Sequence, residues 1–257
     1  MLVQCKIVSK IVYIGILMLM FTSVYGFQTK IQQIKTRGYI TVAIPKTSHP
    51  PFITYLKDGT LEGSDIRLIE KIGKYLKVSI KYLSCVTSNE QIEAVANSKA
   101  DIALGGLSVT LRRLEKVNFS IPYANLKLAL LVNRLGDISS KFDYNRNIEM
   151  GVLAGSAFLE YAELRFPDAK IKLYNSSQVM LLAVKQGKLD AGLSSLNKVQ
   201  YWMKENPSDA LYIRIIVIPE FLDPIAVAVS YDAPDLVKWL SMLIEQSYLS
   251  EDEEGRK

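Results

Sequence analysis

The chain has 257 residues, 49% of them hydrophobic and 22% charged, which suits folded domains with their own cores and excludes a disordered polymer. Its formal charge of +5 is not gathered into the Lys and Arg clusters with interleaved aromatics that nucleic-acid binding needs, so no nucleic-acid partner is expected. There is no Gly-x-Ser-x-Gly elbow, His-Glu-x-x-His pair or Gly-x-x-x-x-Gly-Lys loop, and neither a metal nor a cofactor is implied.

The first segment reads as a targeting sequence. Lys6 and Lys10 precede an apolar core, Ile11 to Phe21, too short to span a bilayer comfortably, and Val24-Tyr25-Gly26 offers small residues for cleavage. Residues 1–26 are therefore expected to be a secretory signal peptide, with an uncleaved anchor as the alternative. Cys5 would leave with it, so Cys85 stands alone, cannot make an internal disulfide, and is expected to be a buried apolar residue.

Alternating and helical periods then take turns. Tyr39 to Ile44 reads as a strand, Asp65 to Leu76 as a helix with Ile66, Ile69, Ile72 and Leu76 on one face, and Val78 to Leu83 as a second strand, a βαβ opening onto a parallel sheet. Ser88 and Gln91 have capping-box spacing for the next helix, with Ile92, Val95 and Ala96 on its apolar face. That helix leads into Asp101-Ile-Ala-Leu-Gly-Gly-Leu-Ser-Val-Thr-Leu-Arg-Arg-Leu-Glu-Lys-Val-Asn-Phe-Ser-Ile-Pro-Tyr123. Here a short apolar strand opens at Gly105-Gly106, and Thr110 suits an N-cap whose free amides, with the fork of Arg113, would make an anion site. The same residues would also serve as a plain strand-to-helix junction with a surface arginine.

The second half repeats the plan. Glu149 to Leu153 reads as a strand ending at Gly155-Ser156, Ala157 to Phe166 as a helix, Ile171 to Tyr174 as a strand, and Val179 to Gln186 as a helix stopped by Gly187. Asp101-Ile-Ala-Leu-Gly-Gly-Leu-Ser and Asp190-Ala-Gly-Leu-Ser-Ser-Leu-Asn carry Asp, Leu and Leu at equal offsets, which implies two similar α/β lobes. The apolar run Asn125 to Asn133 suits a crossing between them, with a return near Pro219 to Val229 and a helix from Pro234 to Glu245. The acidic end from Glu251 reads as solvated and disordered.

The strand, small residues, Ser-x-Thr, Arg and Phe-Ser-x-Pro-Tyr of 101–123 resemble the core signature of the family 3 extracellular solute-binding proteins, periplasmic receptors of polar amino-acid ABC transporters. The resemblance runs, more weakly, from about Gly38 to about Leu243. It implies a periplasmic binding protein-like α/β fold of two lobes, 27–124 plus 222–257 and 125–221, joined by a two-crossing hinge. It also implies a monomer that closes on a small carboxylate-bearing ligand and delivers it to an inner-membrane ABC permease. By position in the motif, Arg113 would hold the ligand carboxylate with Ser108, Gly106 and the amides at Ser156 and Ala157; Ser88 would join the cleft wall. His49 stands where similar proteins place an aromatic against the ligand, ahead of Phe52. As the only histidine, it also admits reading as a base, a pH switch or a merely exposed residue.

Two departures bear on the ligand. Ser195 aligns with the acid that pairs with an α-ammonium group in amino-acid receptors, and a serine can accept a hydrogen bond there but cannot neutralise the charge. Ser64 replaces an aromatic between Gly63 and Asp65. The stretch is also similar to that of periplasmic cyclohexadienyl dehydratases, but Lys198 stands where that enzyme needs a glutamate, so no catalytic residue is assigned. A third reading, the ligand-sensing partner of a membrane receptor, would use the same cleft.

Overall fold

The structure, a computed structural model, describes residues 28–136, 138 and 147–254; the expected signal peptide lies outside the described residues. Helix α1 (Lys30–Arg37) starts on a capping box between Thr29 and Gln32 and ends at Gly38, whose φ of 79° lets the chain reverse into β1 (Tyr39–Pro45). The short strands β2 (Thr54–Tyr55) and β3 (Leu61–Glu62) precede α2 (Ser64–Leu76), which buries Ile66, Ile69, Ile72 and Leu76 as its spacing predicts. Strand β4 (Ser79–Cys85), helix α3 (Ser88–Ala96), strand β5 (Ile102–Ala103), the one-turn helix α4 (Leu111–Leu114) and strand β6 (Asn118–Phe119) complete this half.

A long strand, β7 (Ala124–Asn133), leads into β8 (Glu149–Leu153), α5 (Phe158–Arg165), β9 (Lys170–Tyr174), α6 (Ser177–Lys185), β10 (Ala191–Ser195), α7 (Leu196–Glu205) and α8 (Pro207–Ala210). The chain returns through β11 (Ile213–Ile225) to β12 (Ala228–Val229) and α9 (Pro234–Glu254). Two five-stranded sheets result, ordered β4-β1-β5-β12-β6 and β11-β7-β10-β8-β9. β1 is parallel to β4 and β5, while β12 joins β5 and β6 antiparallel, so the first sheet is mixed rather than all parallel.

β7 and β11 join the lobes as an antiparallel pair whose register shifts between Ile218 and Leu222. On one side of that irregularity Leu126 and Ile225 pack into the first core; on the other, Leu128, Leu130, Ile216 and Ile218 pack into the second. The internal repeat is physical. Asp101 and Asp190 each bond a neighbouring strand twice: the backbone amides donate to Thr41 O and Glu149 O, and the carboxylates accept from the Thr41 and Glu149 amides at 2.8 Å. Cys85 is buried, as its apolar setting predicts.

Two local expectations are corrected. The cap of α3 is Thr87, which accepts from the Glu90 amide, and Gln91 is instead buried, donating to Ala43 O and Leu104 O at 3.1 and 2.7 Å. A glutamine used inside the fold cannot reach back to a cap. The C-terminal helix does not stop at Glu245, and the acidic end is not disordered from Glu251: α9 runs to Glu254, because no Gly or Pro interrupts it after Pro234. Its Leu236, Leu240, Leu243 and Ile244 close the first core.

Candidate functional site

A cleft of about 490 Å³ lies between the lobes. It is lined by the segments that follow the carboxyl ends of β1, β4 and β5 in the first lobe and of β8, β9 and β10 in the second, with Leu126 and Asp223 of the crossing strands at its base. Strand ends deliver ligand sites in open α/β sheets because the loops there are free to vary while the strands hold them rigidly. The lobes meet across the cleft rim: the Asn89 amide donates to Gly155 O at 3.1 Å and Arg112 pairs with Glu163.

His49, Ser88, Gly106, Ser108, Arg113, Ser156, Ala157 and Ser195 all line this cleft. Phe52 does not. It is 3% exposed, packs edge-on against both His49 and Tyr123, and buttresses the wall from behind. An apolar ring next to the Ile44–Ile53 core gains more by burial there than by facing water.

Arg113, 5% exposed, donates from Nη1 to Ser108 O at 2.8 Å, which holds the guanidinium plane against the Ser108 loop. Burial pulls its pKa down, and Tyr161, Asp223 and Glu160 partly offset that. The amides around it are not offered to a ligand as the sequence suggested. Leu111 N donates to Glu160 Oε1 at 3.0 Å, from the other lobe, and Arg113 N donates to Thr110 Oγ1. The Gly105 and Gly106 amides both donate to Asp65 Oδ2, at 2.7 and 3.1 Å, where Tyr123 OH also donates. Both glycines have positive φ, and a Cβ on Gly106 would come within 2.4 Å of the Phe52 ring and 2.9 Å of His49. Packing alone therefore requires both glycines, Gly106 against Phe52 and His49 and Gly105 against Pro45, which a Cβ there would approach to 2.3 Å.

Asp223, 1% exposed, is the site residue that sequence reasoning missed. Its carboxylate accepts from Tyr161 OH at 2.6 Å and from Ser108 Oγ at 2.9 Å, so the Ser108 proton is already committed and its oxygen faces the cleft as an acceptor. The signal was present: an acid inside the apolar run Ile213 to Val229 must be paired or functional, because a lone buried carboxylate is costly. Burial raises its pKa to about 6, against the hydrogen bonds of Tyr161 and Ser108 and the charge of Arg113, which lower it.

The first lobe also presents His49. Its Nδ1 lies 2.7 Å from Gly105 O, which can only accept, so Nδ1 carries the proton and Nε2 is an acceptor. Burial first, and then the Lys198 charge, lower its pKa to about 3, so the ring stays neutral through the physiological range and is no pH switch there. In the second lobe the Ser156 hydroxyl donates to Leu153 O at 2.5 Å and accepts from Phe158 N, and α5 begins one residue later than its capping pattern predicts. Ser195, 1% exposed, has an Oγ with no hydrogen-bond partner among the described residues. No group of three or more His, Cys, Asp and Glu side chains is placed to hold a metal ion among the described residues.

Residues 40–251 match the sequence pattern of one protein family. The chain belongs to the bacterial extracellular solute-binding proteins, family 3. Among its relatives is ABC transporter arginine-binding protein 1 of Escherichia coli K12, 22% identical over 76% of this chain and 79% of that protein. Another is the glutamine-binding protein of Geobacillus stearothermophilus, 24% identical over 69% of each. The fold is shared with the holo arginine-binding protein of T. maritima, with a TM-score of 0.71, 22% identity and coverage of 84% and 93%. It is shared too with an ancestral amino acid-binding protein, a precursor of cyclohexadienyl dehydratase, with a TM-score of 0.70, 24% identity and coverage of 85% and 93%.

In this family 3 protein, Asp223 makes a pH prediction. Its folded pKa of about 6 lies above the ordinary 3.8, so between those values the folded chain keeps a proton that the unfolded chain has released, and stability falls as pH rises through that window. Asp223→Asn removes this slope. Relative to the wild type, the ligand-free variant should gain about 3 kcal/mol between pH 3.5 and pH 7. Denaturant unfolding of both proteins at the two pH values reads the difference, and a pH-independent gap between them would refute the assignment.

Proposed function

We propose that this chain is the soluble receptor of an amino-acid-type ABC transporter: a monomer, exported by a cleaved leader, that captures a small carboxylate-bearing ligand and presents it to a membrane permease. The relatives named above bind arginine and glutamine, which supports the ligand's general class. The carrying observation is the buried guanidinium of Arg113 in a cleft of small-molecule size, also lined, from the other lobe, by the Ser195 hydroxyl, which has no partner among the described residues. Residues 27–124 with 222–257 and residues 125–221 act as the moving bodies. β7 and β11 are the hinge, and the shift at Ile218/Leu222 is the natural place for it, since ladder bonds are interrupted there.

The protein acts by binding and not by catalysis. The dehydratase reading lacks its proton donor: Lys198, a residue of the cleft lining, is what the sequence aligns with that glutamate. Asp223 does not replace it, since both of its oxygens are already engaged by Tyr161 and Ser108.

A thermal-shift screen of the leaderless protein against amino acids, dicarboxylates and aromatic acids tests the reading. A ligand present at a hundred times its dissociation constant adds about 2.7 kcal/mol of stability, an easily measured shift. Small-angle scattering with that ligand should show a more compact particle. Absence of any shift, or shifts that are the same in Arg113→Ala, would overturn the proposal.

A further inference from the structure

The end of β10 and the start of α7 form a part of the cleft that the carboxylate at Arg113 does not use. α7 has ten residues, and Ser195, at its N-cap position, makes no side-chain bond to the first turn. Its hydroxyl is buried, unpartnered among the described residues, and part of the cleft lining. A buried hydroxyl without a partner is rare and costs free energy, so a ligand atom is its natural complement.

Lys198 is the third residue of the same helix. The first turn of a helix already carries a partial positive charge, and acids are the residues it stabilises; a cation there works against the dipole. Lys198 lines the cleft and makes no ion pair among the described residues. Burial pushes its ammonium pKa down, and its charge reaches His49 on the opposite wall. The acids of the cleft do not neutralise it. Asp223 is tied to Ser108 and Tyr161, and the exposed Glu205 stands seven residues further along α7, roughly 10 Å up the axis. Helix N-terminus, ammonium and free hydroxyl therefore line one wall with no carboxylate of the described residues paired to them.

We infer that this wall receives a second anionic group, so that the preferred ligand is a small dicarboxylate bridging Arg113 of one lobe and Lys198 of the other. The inference rests on the binding-protein reading above and narrows it. A ligand with a cationic side chain would instead bring like charge against Lys198. A dicarboxylate also explains why a lysine is tolerated in this place, since the bound anion relieves its desolvation.

Calorimetry with glutarate, L-glutamate, L-glutamine and L-arginine tests it. Glutamate differs from glutamine by the charge alone, and wild type should bind it about 30-fold more tightly or better. Lys198→Gln should erase that preference while changing glutamine affinity by less than about threefold, and Lys198→Arg, which keeps the charge, should retain it. Glutarate should bind within about tenfold of glutamate, because Ser195 offers no charge to an ammonium group. If glutamine or arginine binds as well as glutamate in an Arg113-dependent way, or if Lys198→Gln weakens glutamate and glutamine alike while melting normally, this inference falls and the receptor reading stands. If none of the four binds and no other carboxylate shifts the melting temperature, both fall.

Discussion

Arg113→Ala is expected to remove most ligand binding, at a cost of about 2 to 5 kcal/mol, while Arg112→Ala leaves affinity nearly unchanged. The two arginines are neighbours in sequence with opposite environments. Arg113 is 5% exposed, lines the cleft, and is oriented by its bond to Ser108 O. Removing it would leave the ligand carboxylate desolvated without a partner, and would also leave Asp223 and Glu160 without the charge that offsets theirs. Arg112 points to solvent and pairs with Glu163 of the second lobe through side chains 58% and 41% exposed. An exposed pair of that kind contributes about 0 to 1 kcal/mol, and its loss would loosen the rim slightly rather than the site. Calorimetry with the carboxylate that gives the largest thermal shift separates them, and equal losses in the two variants would end the assignment of Arg113.

Asp65→Ala, behind the cleft wall, is expected to destabilise the ligand-free protein by about 3 to 5 kcal/mol. One oxygen of Asp65 serves the Gly105 amide, the Gly106 amide and the Tyr123 hydroxyl, and the residue is fully buried. Truncation strands two buried amide donors at once and takes an acceptor from the Tyr123 hydroxyl. Burial raises the Asp65 pKa, opposed by those same hydrogen bonds, so the carboxylate is costly to keep and is kept because the loop needs it. Asp65→Asn should recover part of the loss, since its oxygen can still accept while its amide nitrogen cannot. Denaturant unfolding of both variants checks this; wild-type stability in Asp65→Ala would show that the glycine loop is held by packing on Phe52 and His49 alone.

The sequence by itself determined the alternation of strands and helices, and with it the two-lobed plan, because periods of 2 and 3.6 are written locally. The inward face of α2, β8 over Glu149 to Leu153, and the Asp101 and Asp190 repeat were all legible in this way. It also marked Arg113, through a strand, glycines and a Thr cap in fixed order. The extent of β11 was not legible, since its register breaks midway and its first half pairs with residues of β7 that lie 80 to 90 positions earlier.

Only the tertiary structure decided who occupies each polar group. The amides that local pattern offered to a ligand are filled by Asp65, 40 and 41 residues away, and by Glu160, 49 residues away on the other lobe; Ser108 gives its proton to Asp223, 115 residues on. A capping pattern states that a donor needs a partner, not which distant acceptor will be folded against it. The same holds for Phe52, drawn into the core, and for Gln91, drawn off its cap. It holds too for Lys198, whose meaning lies in having no acid brought to it among the described residues, a property of the whole packed cleft and of no segment within it.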